Sequence, residues 1–200
     1  GALHRITRAR LEQGAAKLLP HVAHLPRPYI SVLIGGTNGS YSLGPDEIAK
    51  LADALIRAAR ETGGSLLITP SRRTGADNVA RLKQALEGTP SFLWNGEGDN
   101  PYFGLLGLAD HLVVTNDSVS MVSEAVATGK PVHVFALPDS TGGSRKSRKF
   151  ARFHADMAAA GWTRAFDGSV TAYEAPGVPR ETARAADAVR AILDRARRQQ

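Results

Sequence analysis

Short apolar runs, many of them β-branched, recur along this 200-residue chain, each separated from the next by a polar turn and an amphipathic stretch. The runs are "YISVLI" (Tyr29–Ile34), "SLLITP" (Ser65–Pro70), "SFLW" (Ser91–Trp94), "HLVVT" (His111–Thr115) and "PVHVF" (Pro131–Phe135). A strand with one wet face alternates apolar and polar residues. Runs that stay apolar throughout are buried on both faces, which requires a parallel sheet with helices on either side. The right-handed crossover then leaves an α/β class: a doubly wound, mainly parallel, Rossmann-like sheet.

The intervening segments fit that arrangement. Between Pro45 and Thr62, Ile48, Leu51, Ala52, Leu55, Ile56 and Ala59 fall on one helical stripe. Pro45 suits the first helical position, Asp46 and Glu47 suit the positive end of the dipole, and Gly63-Gly64 ends the run. Further helices are expected over Ala76–Leu86, Tyr102–Leu108, Ser118–Thr128, Arg145–Ala160 and Arg180–Arg198, with a sixth strand at Thr163–Phe166. Residues 1–28 read as a linker or lead-in helix ending in "LPRP", and residues 29–200 as the domain.

Composition narrows the function classes. The chain has no cysteine, so disulfides, thiolate metal sites and cysteine nucleophiles are excluded, and a cytoplasmic setting is expected. No run of 18 or more apolar residues is present, and the first residues lack a signal-peptide pattern. The net charge of +6 is unevenly placed. Residues 1–140 carry 13 Lys/Arg against 13 Asp/Glu, whereas residues 141–200 carry 12 against 6. A basic last third suits an anionic small ligand or peripheral contact with an anionic membrane surface, and equally a solvated helical face. Aromatics make up 6% of the chain and do not interleave with the basic residues, which disfavours nucleic acid.

In a doubly wound sheet, ligands bind beyond the carboxyl ends of the strands, so the loops there hold the candidates. "GGTNGSYSLGPDE" offers Gly35 and Gly36 for close backbone approach and Thr37 and Asn38 as donors, or forms an ordinary glycine-rich turn. "TPSRRT" places Arg72 and Arg73 just past a strand; adjacent side chains diverge, so at most one turns into the cleft, and Arg72 is the candidate. Asn100 and Tyr102 follow the third strand and could meet a base or sugar edge, while Pro101 equally just starts a helix. After the fourth strand, Asn116, Asp117 and Ser118 are all good N-caps. Glu124 lies four residues from Ser120 and seven from Asp117, a lone acid on a helix of small and apolar residues. A carboxylate there needs partners; a ribose diol or an unseen cation would serve. Lys146 begins a basic helix that an anion would relieve. There is no GxGxxG, Walker or GxSxG motif and no metal-ligand spacing, and neither metal nor cofactor is expected.

Taken together, "VLIGGTNGSY", "TPSRRT", "NPY", "TNDSVSMVSEAVATGKPV" and "KFARF" resemble the carboxyl-terminal half of a GT-B glycosyltransferase. More closely, the chain looks like the family of mitochondrial fission ELM1-like proteins, whose bacterial members are described as predicted nucleoside-diphosphate-sugar epimerases. The resemblance implies a nucleotide-sugar ligand of UDP type. It implies that Glu124 accepts hydrogen bonds from the donor ribose, and that Ser118 and Ser120, with the helix start around Asp117, hold the diphosphate. It places Gly35, Gly36, Thr37 and Asn38 on the phosphate or acceptor side. It also implies an amino-terminal half of comparable size, without which the domain binds its donor weakly and turns nothing over. A non-catalytic, GT-B-derived domain associating with a membrane surface or protein partner is the alternative.

Overall fold

The first apolar run forms strand β1 (Tyr29–Ile34) at the centre of a six-stranded sheet in the computed structural model, which describes residues 2–178 and 189–190. All six residues of β1 are buried. Its neighbours are β2 (Ser65–Pro70) and β4 (His111–Thr115), also buried along nearly their whole length. β3 (Ser91–Leu93) extends the sheet beyond β2, and β5 (Val132–Phe135) and β6 (Arg164–Ala165) extend it beyond β4. Every pairing is parallel and the order is β3-β2-β1-β4-β5-β6. This is the doubly wound, Rossmann-like order, whose topological switch point lies between β1 and β4.

Alternate residues of the central strands feed two different cores. Ile30, Val32 and Ile34 of β1, Leu66 and Ile68 of β2 and Val113 of β4 pack with the apolar stripe of α2 (Pro45–Thr62) and with Leu82 of α3 (Ala76–Ala85). Leu33, Leu112 and Val114 face the other way, toward Leu106 of α4 (Tyr102–Leu108) and Val122, Ala125 and Val126 of α5 (Val119–Val126). α6 (Arg145–Ala159) contributes to both, Phe150 to the first core and Phe153 and Met157 to the second. α2 is bounded as its sequence implies: the Glu47 carboxylate accepts from the Gly44 amide at 3.1 Å, and Gly63 takes φ 66°, a left-handed geometry suited to glycine. The terminal helix expected over Arg180–Arg198 falls, apart from residues 189–190, outside the described residues.

The amino-terminal segment is an integral layer of this fold. α1 (Arg8–Val22) buries Leu18 and Val22 in a third cluster with Tyr29, Leu67 and Leu105. It lies directly on α4 because both helices are glycine at the crossing. A Cβ on Gly14 would stand 2.6 Å from the Gly104 amide nitrogen, and one on Gly104 would stand 2.8 Å from the Gly14 carbonyl. The expected lead-in is thus the outer cover of α4.

This packing can be tested at two places. Gly14→Ala and Gly104→Ala each force backbone away from backbone, so each should lower stability by about 1–3 kcal/mol, read as a reduced urea midpoint at unchanged m-value. A second test concerns His133, buried in β5 beside His111, the two rings 6.0 Å apart. Burial, reinforced by His111 and Arg164, pulls the His133 pKa down to about 4. The fold holds this ring neutral. Below its ordinary value of about 6.5 the unfolded chain takes up a proton that the folded chain refuses, so stability falls from there to about pH 4 and then levels, by roughly 2–3 kcal/mol. His133→Phe should shrink the difference between urea midpoints at pH 7 and pH 4.5.

Candidate functional site

The carboxyl end of the sheet is organised around Asp117, whose side chain is fully buried where β1 and β4 part. Its Oδ1 accepts from the Thr115 hydroxyl at 2.6 Å and its Oδ2 from the Gly36 amide at 3.0 Å. The Arg73 guanidinium reaches the same Oδ2 at 2.9 Å from the 3-10 turn Arg72–Thr74 that follows β2. One carboxylate therefore joins the ends of β1, β2 and β4. This geometry explains the glycine pair. A Cβ on Gly35 would collide with the Asp117 carboxylate, and one on Gly36 with the backbone carbonyl of Arg73.

The same contacts correct the phosphate role expected of the first loop. The Gly35 amide donates to Thr115 Oγ1 at 2.8 Å and the Gly36 amide to Asp117, so both point into the protein. Thr37 Oγ1 accepts from the Leu43 amide. Asn38 Oδ1 accepts from the amides of Ser40 and Tyr41, and its Nδ2 donates to the Asp117 carbonyl at 3.0 Å. Residues 40–42 then pair with residues 138–140, through Ser140 N to Ser40 O at 3.0 Å and Ser42 N to Pro138 O at 3.2 Å. The loops after β1 and β5 are thereby zipped together across the end of β4. The crevice at the switch point is filled from within and roofed.

Asn116 belongs to that framework: its Oδ1 accepts from the Leu137 amide at 2.9 Å, and its carbonyl lies 2.7 Å from His154 Nε2 of α6. Burial lowers the His154 pKa, so the ring is held neutral. Ser118 caps α5 by accepting from the Met121 amide at 3.3 Å, which leaves the amides of Val119 and Ser120 at the helix start. Ser120 is exposed. Arg72 is exposed, and of the two adjacent arginines it is Arg73 whose guanidinium enters the cleft. Lys146 is exposed in the first turn of α6, its Nζ 3.8 Å from where a Cβ on Gly39 would stand.

Glu124 sits apart from this framework. It is half-buried on the second turn of α5, and its Oε2 accepts from the Tyr102 hydroxyl at 2.5 Å. Tyr102 is the first residue of α4, and Asn100 fixes it by accepting from its amide at 3.0 Å. Burial and the adjacent carboxylate raise the phenol pKa, so it stays protonated and donating. Among the described residues no cation pairs with Glu124 and no hydrogen bond reaches its Oε1. Lys130, in the same sequence block, is structural. Its Nζ donates to the carbonyls of Leu106 at 2.9 Å and Gly107 at 2.6 Å, closing the end of α4. Burial brings its pKa down to about 8.

Sequence reasoning did not single out Arg73 or His154. For His154 a signal was present, since it follows Phe150 by four residues and precedes Met157 by three on the buried face of α6. For Arg73 the choice over Arg72 depended on the 3-10 turn.

The model of the family described as "Mitochondrial fission ELM1" matches residues 1–193. Mitochondrial fission protein ELM1 of Arabidopsis thaliana is 37% identical over 197 residues, 96% of this chain and 44% of that protein. The uncharacterized protein RP120 of Rickettsia prowazekii (strain Madrid E) is 30% identical over 143 residues, 70% of this chain and 40% of that protein. The chain thus spans less than half the length of these relatives. Among solved structures, the C-terminal CMP-Kdo binding domain of WaaA from Acinetobacter baumannii is similar with a TM-score of 0.50 at 10% identity, covering 94% of this chain and 91% of that one. At that identity the likeness is one of fold.

Removing the central carboxylate should be costly. Asp117→Ala strips partners from the Gly36 amide, the Thr115 hydroxyl and Arg73, and should destabilise by about 2–4 kcal/mol. Arg72→Ala should change stability by less than about 0.5 kcal/mol. Thermal or urea unfolding of the two variants side by side checks both.

Proposed function

The chain belongs to the mitochondrial fission ELM1 family, and from that premise we propose that the domain is the donor-binding half of a GT-B-like nucleotide-sugar enzyme, for glycosyl transfer or sugar epimerisation. The observation that carries the reading is the Tyr102–Glu124 pair. A half-buried carboxylate with one oxygen held by a phenol and the other unbonded among the described residues is set to accept from a sugar hydroxyl. A neighbouring hydroxyl of the same diol can bond Tyr102 or displace it from Oε2. The first turn of α4 meets the second turn of α5 here. The start of α5, with Ser118 and Ser120, favours the phosphates, and the outer nitrogens of Arg73 and the ammonium of Lys146 add positive charge around the rim. The protein of Acinetobacter named above has a CMP-Kdo binding domain of the same fold, which supports a nucleotide-sugar ligand class for this chain.

Division of labour follows from this arrangement. This half recognises the nucleotide, and groups from a second domain supply the acceptor and the proton transfers, so the isolated domain binds without turnover. A second reading has its own observation. Arg145, Lys146, Arg148 and Lys149 are exposed in the first turns of α6 and form no ion pair among the described residues. Such a cluster suits an anionic membrane surface.

Calorimetric titration with UDP, a UDP-sugar and CMP separates these readings. Weak saturable binding is expected for at least one of them, reduced about ten-fold or more in Glu124→Ala, the scale of a lost hydrogen bond to a charged group. No response in the millimolar range, or an unaffected Glu124→Ala, would sink the nucleotide reading. Sedimentation with phosphatidylserine vesicles, abolished when the four α6 cations are neutralised, would then favour the membrane reading.

A further inference from the structure

A large cavity lies away from the Tyr102–Glu124 pair, on the other side of the first turn of α4. It is a groove of about 820 Å³ between α1 and the segment that leaves β3 for α4. From its chemistry we infer that it is a carbohydrate site, taking a neutral oligosaccharide of a few units. This inference does not rest on the nucleotide reading.

Three features point to that ligand class. The first is aromatic. Phe92, Trp94 and Phe103 line the groove, all partly buried. Trp94 is locked in place because its Nε1–H donates to the Glu97 carbonyl at 2.8 Å, and the Arg10 guanidinium lies over the Phe103 ring at 5.6 Å. Rigid rings offer an apolar platform to the C–H faces of a pyranose at little entropic cost. The second feature is a pair of planar amides beside those rings, Gln13 and Asn100; a third, Asn95, is spent on Glu97, donating to its carboxylate at 3.1 Å and accepting from its amide at 3.0 Å. Asn100 uses only its Oδ1, on the Tyr102 amide, which leaves its amide protons for hydroxyl oxygens. Gln13 is exposed on α1 with neither end engaged among the described residues.

The third feature is charge. Arg10 and Lys17 on the α1 wall are balanced by Glu97 and Asp99 on the facing loop, and Lys17 and Asp99 approach to 3.9 Å. His21 is the remaining titratable residue of the lining; with it neutral, the groove carries equal charge of both signs and does not concentrate an anion, which disfavours a nucleotide or a phosphopeptide, yet it is rich in partners for neutral hydroxyls. The size agrees, since the volume exceeds what one monosaccharide fills and falls in the range of small-molecule sites. Phe103 and Tyr102 are consecutive, so one helical turn sends one ring to the groove and the next to Glu124.

The chain contains two tryptophans, and the other, Trp162, has a buried Nε1 without a hydrogen-bond partner among the described residues, so Trp162→Phe removes no hydrogen bond of the indole and leaves Trp94 as the sole tryptophan. In that background, emission is followed while maltotriose, cellotriose and triacetylchitotriose are added to about 20 mM, a range that captures millimolar dissociation constants. A saturable shift with at least one trisaccharide is expected. It should weaken about three- to ten-fold in Asn100→Ala and again in Gln13→Ala, the scale of one neutral hydrogen bond each. Absence of a saturable shift with all three sugars overturns the inference, as does an equal response in the Asn100→Ala/Gln13→Ala double variant. A shift with uridine monophosphate in place of the sugars also overturns it, in favour of a base-binding groove. Calorimetry with UDP on the same samples keeps the two sites distinct, because a chain that binds UDP through Glu124 and ignores the trisaccharides loses only the groove assignment.

Discussion

Where β1 and β4 part, the crossover helices leave the sheet toward opposite faces, and the strand ends open a crevice that must be filled or offered to a ligand. Here the chain fills it with its own anion. The Asp117 carboxylate takes a hydroxyl from Thr115, an amide from Gly36 and a guanidinium from Arg73, and so ties three strand ends together. A buried carboxylate is tolerable only when its lone pairs are met in this way. The glycines at 35 and 36 are the steric consequence, since no side chain fits between them and their neighbours.

This internal anion decides how the rest of the edge can be used. In many Rossmann-like sheets the first glycine-rich turn presents free amides to a phosphate. In this chain those amides are spent, and the Gly44 amide at the start of α2 is spent on Glu47. The polar groups still available belong to α5, to the outer face of Arg73 and to the meeting point of α4 and α5. The proposed recognition therefore relies on side chains rather than on backbone donors after β1, with Glu124 at its centre.

α4 is the hinge of that side. α1 fastens it from outside through the Gly14–Gly104 crossing, and Lys130 closes its carboxyl end. Its first turn sends Tyr102 to Glu124 and Phe103 to the groove under α1. A helix of only seven residues holds these directions because its two ends and its outer face are all fixed. The "TGKPV" end of the most recognisable sequence block is accounted for by this architecture, and within "SVSMVSE" Met121 and Val122 serve the core while Ser118, Ser120 and Glu124 belong to the proposed site.

The kind and position of almost every element were legible in the residues. β1, α2, β2, α4 and β4 begin and end where the apolar runs, Pro45 and the Gly63-Gly64 stop place them, and α3, β3, α5, β5, α6 and β6 differ by one or two residues at their ends. Such features are local: periodicity, caps and breakers act over a few neighbours. Strand order follows almost as directly, because continuous apolar strands joined by helices admit few arrangements. Partners were not legible. Nothing in "SRRT" says that Arg73 rather than Arg72 meets Asp117, that Tyr102 rather than a cation meets Glu124, or that the lead-in is bound to α4 by two glycines. Those pairs are distant in sequence and are joined by the packing of whole helices and strands. Which donors remain free for a ligand was therefore settled by the tertiary structure, because a hydrogen bond spent inside the fold is unavailable outside it.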